Sequence, residues 1–203
     1  MQPTSERLVG KATTKTTTML KPFRKTPALN EANLLLVENE EQLQCKLADL
    51  ILQNEKDGFN IKVRLARQLP LPVDGEDSRP RIDLVVFIVN LMSERSLQSV
   101  EKSIKCLDPA FFLGKVCFLV TGARCLSVSK DNLLTVRKMA ALLHCPLLFA
   151  EDQTSEGVTT VAVRLLSMLK VAAGLVPMAT GLQLNTLAHC VMPTDMEEID
   201  LLS

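Results

Sequence analysis

The runs Arg81-Ile82-Asp83-Leu84-Val85-Val86-Phe87-Ile88-Val89-Asn90 and Lys115-Val116-Cys117-Phe118-Leu119-Val120-Thr121-Gly122 decide the fold. Each apolar core has the length of a strand and is rich in β-branched and aromatic residues. Neither alternates polar with apolar, which is the pattern of strands buried on both faces. Between them, Leu97, Val100, Ile104 and Leu107 fall at helical spacing, with Ser93 or Ser96 available as N-cap. Strand, helix and strand in this order make a right-handed crossover, and therefore a parallel sheet.

Upstream, Leu34-Leu35-Leu36-Val37 reads as a short buried strand. Leu43, Leu47, Leu50 and Ile51 predict a helix to about Gln53, closed by the Lys56-Asp57-Gly58 turn. Asn60–Ala66 places Ile61, Val63 and Leu65 at alternate positions, which suits an edge strand with one wet face. Leu69-Pro70-Leu71-Pro72 and Asp74–Pro80 form a loop, because proline continues neither a helix nor a central strand. Downstream, Leu133, Val136, Ala140 and Leu143 mark a helix with Ser129 as N-cap, and Pro146–Ala150 is the next strand. Val158, Val161, Leu165 and Leu169 mark a long helix ending near Gly174, with Pro177 beyond it. Leu182–Val191 adds a short apolar helix. The order predicts an α/β domain with a doubly wound, mostly parallel sheet.

The chain has 203 residues, 47% of them hydrophobic, and a net charge of zero. Charge is uneven along it. Residues 1–27 hold six Lys or Arg and one acid, Glu6, whereas the last twelve hold Asp195, Glu197, Glu198 and Asp200 and no base. The expected organisation is a disordered basic tail (1–28), an α/β domain (29–191) and an acidic tail (192–203). The low-complexity Thr13-Thr14-Lys15-Thr16-Thr17-Thr18 supports the tail reading. A basic, hydroxyl-rich, acid-poor leader is also the composition of a mitochondrial transit peptide, but this one has only two Arg and no apolar face. The near-neutral middle carries no domain-wide basic face for nucleic acid, which leaves weak phosphate contact to the tail alone.

Six cysteines, Cys45, Cys106, Cys117, Cys125, Cys145 and Cys190, include no C-x-x-C pair, so free thiols are expected and no metal site. No apolar run approaches the ~20 residues that cross a bilayer.

In doubly wound sheets ligands bind at the carboxyl ends of the strands. After the first strand comes Glu38-Asn39-Glu40-Glu41-Gln42-Leu43-Gln44-Cys45. A phosphate loop needs glycines for backbone approach and a Lys for charge, and this loop has neither. Its glutamates oppose phosphate and instead suit a helix N-terminus. A Mg²⁺ site of phospho-receiver type would require Asp at Asn90 and Lys near Glu151, and neither is present. Asp83 stands at the amino end of its strand, where it caps or pairs with Arg79 or Arg81. His144 and His189 each precede a Cys, and adjacent side chains diverge too far for a nucleophile pair. No catalytic residue, cofactor site or metal site is assigned.

The spacing of Leu34–Leu47, Ile82–Leu107, Lys115–Arg124 and Pro146–Ala150 resembles that of a small Ras-like GTPase. In that resemblance Glu38–Cys45 replaces the G-x-x-x-x-G-K-[ST] loop. Thr121-Gly122-Ala123-Arg124 stands where N-K-x-D would read guanine. The implied fold is thus small-GTPase-like, a pseudo-GTPase, with a degenerate GTPase or nucleotide hydrolase as the alternative.

Leu69-Pro70-Leu71-Pro72, Arg79–Leu84, Ser96-Leu97-Gln98 and Phe111–Leu119 are similar to the centromere protein M family of the inner kinetochore. The resemblance implies a non-enzymatic subunit of the constitutive centromere-associated network, located in the nucleus at the centromere and kinetochore. Its implied partners are centromere proteins I, H and K, with the helical-repeat protein I as the main contact.

The expected partner-binding residues are Phe111, Phe112, Leu113, Leu182, Leu184 and Leu187. Phe111-Phe112-Leu113 lies in a connection, and connections run over the surface. At least one Phe is expected to fold back over the core, leaving Leu113, beside Gly114, pointing outward. Leu182, Leu184 and Leu187 form a second apolar segment with no strand of its own to cover.

Overall fold

The computed structural model describes residues 19–22, 29–40, 43–71, 81–123, 125 and 130–184. The elements run β1 (Glu31–Val37), α1 (Gln44–Asn54), β2 (Asn60–Ala66), β3 (Leu84–Asn90), α2 (Glu94–Ile104), a 3₁₀ helix (Pro109–Phe112), β4 (Val116–Thr121), α3 (Lys130–Leu142), β5 (Leu147–Phe149), α4 (Ser155–Ala172) and α5 (Gly181–Leu184). The five strands pair in the order β2-β1-β3-β4-β5, and every pairing is parallel. This is the doubly wound order whose switch point lies between β1 and β3.

The two unbroken apolar runs become β3 and β4, the centre of the sheet. Leu84–Val89 and Val116–Val120 are buried throughout. Alternate side chains feed two separate cores. Leu34, Leu36, Val86, Ile88 and Leu119 pack with α1 and α4. Leu35, Val37, Val85, Phe87, Phe118 and Val120 pack with α2 and α3. Helices on both faces are the reason that these strands have no polar side. Phe87 stacks on Phe118 across the β3–β4 pair, with ring centroids 5.8 Å apart.

At the edge, β2 pairs among the described residues only with β1 and exposes Lys62 and Arg64, as its alternation requires. Its apolar face is covered only in part, because Leu65 is 44% exposed.

Helix ends follow local chemistry. The Ser93 hydroxyl accepts from Ser96 N–H at 3.4 Å and caps α2, and Thr154 accepts from Gly157 N–H at 3.0 Å and caps α4. Ser129, the cap expected for α3, lies outside the described residues. That helix ends in a Schellman-type motif. His144 takes φ 51°, Cys145 N–H donates to Ala140 O at 2.9 Å, and His144 N–H donates to Ala141 O at 3.2 Å. Burial pushes the Cys145 thiol up to about 12.

The amino end of β3 is pinned by Asp83, which pairs with Arg81 Nε at 2.7 Å and accepts from Asn33 N–H at 2.9 Å. Arg79 lies outside the described residues. On the same side of the sheet, Lys170 near the end of α4 meets Glu55 Oε2 at 2.9 Å and Asp57 Oδ2 at 2.6 Å, and sits 5.3 Å from the Phe59 ring centre.

Within the stretch expected as a tail, Leu20 is packed on the domain. Leu20 pairs in parallel with Leu107, its N–H donates to Cys106 O at 2.8 Å, and its carbonyl accepts from Asp108 N–H at 2.9 Å. Its side chain belongs to the second core. The folded unit therefore begins before residue 29. A single buried leucine has no periodicity, so nothing in the sequence marks it.

Candidate partner-binding face

The switch point between β1 and β3 is where a nucleotide-binding relative of this architecture would bind phosphate. Here the chain fills that position itself. Glu38 follows β1 and is 5% exposed. Its carboxylate accepts from Leu43 N–H at 2.9 and 3.1 Å and from Gln44 N–H at 2.8 Å. Leu43, the first residue of the turn into α1, offers no capping side chain, so Glu38 supplies the acceptor from outside the helix. A carboxylate on the first N–H groups of a helix is the interaction that a bound anion would otherwise make.

The neighbouring strand ends are tied to one another as well. Asn90 donates through Nδ2 to Glu40 at 3.0 Å and accepts at Oδ1 from Met92 N–H at 3.0 Å. Asn90 N–H donates to the Ser96 hydroxyl at 3.0 Å. Among the described residues no three His, Cys, Asp or Glu side chains converge as a metal site would require. The five described cysteines are free thiols, with Cys117 fully buried in the first core. Cys190 and His189 lie outside the described residues.

The expected partner face is built at the opposite end of the sheet. Asp108 opens the 3₁₀ helix by accepting from Ala110 N–H at 2.9 Å, with Pro109 in its first turn. The tight turn sends successive side chains in different directions. Phe111 points inward and is completely buried against the second core. Phe112 is half-buried on the same core, and Leu113 stands 60% exposed. Gly114 then takes φ 79° and delivers the chain into β4.

The second segment arrives from the other direction. Helix α5 starts at Gly181, and its backbone lies against that of Leu113-Gly114. A Cβ on Gly181 would sit 3.1 Å from the Gly114 carbonyl oxygen, and a Cβ on Gly114 would run into the Gly181 carbonyl. Leu182 is 57% exposed beside this contact. The structure therefore brings the two expected segments together and leaves Leu113 and Leu182 on the surface.

Two of the expected contact residues lie in the core. Phe111 and Leu184 are buried, Phe111 among the side chains around Leu107 and Phe118 and Leu184 in the core that α4 covers. Leu187 lies outside the described residues.

The family model described as Centromere protein M (CENP-M) matches residues 17–191. Among curated relatives, centromere protein M of Danio rerio is 56% identical over 181 residues, covering 89% of this chain and 97% of its own length. Centromere protein M of Xenopus laevis is 43% identical over 176 residues, with coverages of 87% and 97%. The Homo sapiens protein of the same name is 42% identical over 181 residues, with coverages of 89% and 99%. Among solved structures, the Mn²⁺-bound response regulator Rcp1 superimposes with a TM-score of 0.44 at 16% identity, covering 67% of this chain and 92% of its own.

Proposed function

The chain belongs to the centromere protein M family and is thus a centromere protein, and we propose that it acts as a non-catalytic structural subunit of the constitutive centromere-associated network. In this reading it supports kinetochore assembly and chromosome segregation through contacts with centromere proteins I, H and K in the nucleus. The helical-repeat protein I is the main contact. The fold acts as a pseudo-GTPase, a nucleotide-binding scaffold whose phosphate position is taken by the Glu38 carboxylate.

The observation that carries the reading is the exposure of Leu113 and Leu182 on two segments that meet. These leucines, far apart in sequence, each neighbour one glycine of the Gly114–Gly181 backbone contact. Apolar surface assembled in this way, on rigid backbone, is the composition of a docking anchor.

The test is co-elution with centromere proteins I, H and K in size exclusion, using wild type and the Leu113→Ala/Leu182→Glu double variant. Lost co-elution at an unchanged melting temperature is the expected result. Retained co-elution of the folded double variant overturns the assignment of the face. A parallel titration with fluorescent GTP addresses the scaffold, since saturable, Mg²⁺-dependent binding would overturn the pseudo-GTPase reading.

A further inference from the structure

The outer edge of β2 carries unpaired backbone groups. Asn60 N–H donates to Asn30 O at 2.8 Å, and the Ala66 carbonyl accepts from Glu38 N–H at 3.0 Å. Backbone groups alternate in direction along a strand, so Asn60, Lys62, Arg64 and Ala66 turn theirs toward β1. Ile61, Val63 and Leu65 turn theirs outward, and those N–H and C=O groups have no partner among the described residues. The edge is seven residues long and contains neither proline nor glycine, so it accepts a further strand by backbone pairing. It lies three strand spacings, about 14 Å, from β4, and is separate from the face that Leu113 occupies.

Charge decides what fits this edge. Ile61, Val63 and Leu65 are in register with Ala32, Leu34 and Leu36, on the side of the first core. Lys62 and Arg64 stand exposed on the other side, in register with Asn33 and Leu35. Lys62 is held by Glu31 at 2.9 Å, whereas Arg64 has no ion-pair partner among the described residues. A second copy of the edge is a poor occupant. Two copies related by a two-fold axis run antiparallel, with outward-facing residues opposite outward-facing residues. The registers centred on Lys62, Val63 or Arg64 use most of the edge, and each sets Lys62 or Arg64 opposite Lys62 or Arg64. Like charges directly opposite destabilise a sheet, so the same two cations that repel a copy favour an acidic strand.

We propose that the outer edge of β2 takes an extended acidic segment of another protein, added as a further strand. Side chains directly opposite each other across a strand pair share a face, so the pattern of the occupant follows from the edge. Apolar residues stand beside Ile61, Val63 and Leu65, where they extend the first core and cover Leu65, 44% exposed. Acids stand between them, beside Lys62 and Arg64. The outward N–H and C=O groups of Ile61, Val63 and Leu65 supply the backbone pairing, and Arg64 supplies the charge that selects the segment.

The experiment measures residue-resolved amide exchange in the full chain with two probe peptides, acetyl-Val-Glu-Val-Glu-Val-amide and its counterpart with Lys in place of Glu. The acidic peptide should slow exchange of the Ile61, Val63 and Leu65 N–H groups about tenfold at saturation, and the basic one should not. The Lys62 and Arg64 N–H groups, bonded to β1, report the stability of the sheet and should not change. Unaltered rates at Ile61, Val63 and Leu65 up to millimolar acidic peptide overturn the proposal, and so does equal protection by both peptides. Slow exchange there without peptide overturns it as well, and assigns the edge to a second copy if protection grows with protein concentration or to the chain itself if it does not. In Arg64→Glu, an exposed change, the preference should pass to the basic peptide. In Val63→Pro, which removes an outward N–H and leaves the bonds to β1, neither peptide should protect Ile61 or Leu65. Retained protection by the acidic peptide in folded Arg64→Glu overturns the role given to charge.

Discussion

Gly114 and Gly181 meet backbone to backbone, so closely that a Cβ on Gly114 would run into the Gly181 carbonyl. Gly114 also takes φ 79°, a conformation that costs an L side chain about 1–2 kcal/mol. Gly114→Ala is therefore expected to lower stability by about 2–4 kcal/mol, as strain and overlap add. Gly181→Ala, whose Cβ would rest 3.1 Å from the Gly114 oxygen, should cost less. Urea denaturation of the two variants checks this, and equal losses would mean that the backbones are not in contact.

Glu38 should behave as a helix cap with a charge. Glu38→Ala leaves the Leu43 and Gln44 N–H groups without their acceptor and should cost about 1–2 kcal/mol. Glu38→Gln keeps an acceptor oxygen and loses the charge at the helix N-terminus, a change of about 0.3–1 kcal/mol. Added phosphate should raise the melting temperature of the Ala variant more than that of wild type. An equal response in both would show that the anion is not reaching this helix end.

Val86 sits at the centre of the sheet with no exposure, flanked by Leu36 and Cys117. Val86→Ala removes packing on a side that helices cover and should cost about 1–3 kcal/mol. Val86→Asp should abolish soluble expression, because a buried unpaired carboxylate consumes most of a stability near 5–15 kcal/mol. A soluble, cooperatively unfolding Asp variant would refute the packing described here.

The Lys170 cluster predicts a pH dependence. Burial alone would raise Glu55 from its ordinary 4.5, but hydrogen bonds from Lys170 and from the Asp57 and Phe59 N–H groups outweigh it and lower the carboxyl. Burial alone would lower Lys170 from 10.5, but its bonds to Asp57 and Glu55 raise it. Glu55 thus contributes stability above its ordinary value and loses it as pH falls through the lowered one. Lys170 contributes below its ordinary value and loses it as pH rises through the raised one. Asp57 is 63% exposed on its side chain and adds little, since solvent screens it. Lys170→Met should cost about 1–2 kcal/mol near pH 7, with a gap to wild type that narrows in acid below about pH 4. Thermal melts across pH check it, and a gap independent of pH would rule out the ionic contribution.

Much of this architecture was legible before any coordinate. The unbroken runs at Leu84–Val89 and Val116–Val120 announce strands covered on both faces, and the helical spacing between them implies parallel pairing. Those signals are local and periodic, so a linear reading captures them. The alternation at Ile61, Val63 and Leu65 correctly assigned β2 to the edge for the same reason. The acids after β1 suit a helix N-terminus on sequence alone, and Glu38 caps α1 in the structure.

What the tertiary structure alone decided is which apolar side chains outside that periodicity face water. Phe111 and Leu113 look alike in sequence, yet a 3₁₀ turn buries the first and exposes the second. Leu184 looks like Leu182 and ends in the core. Leu20, in a stretch with the composition of a tail, is pinned beside Leu107 by backbone hydrogen bonds to Cys106 and from Asp108. Each outcome depends on a contact between segments distant in the chain, Leu20 with Leu107 and Gly114 with Gly181. Sequence spacing specifies which face of its own element a residue occupies. It carries no record of which other element will arrive to cover that face.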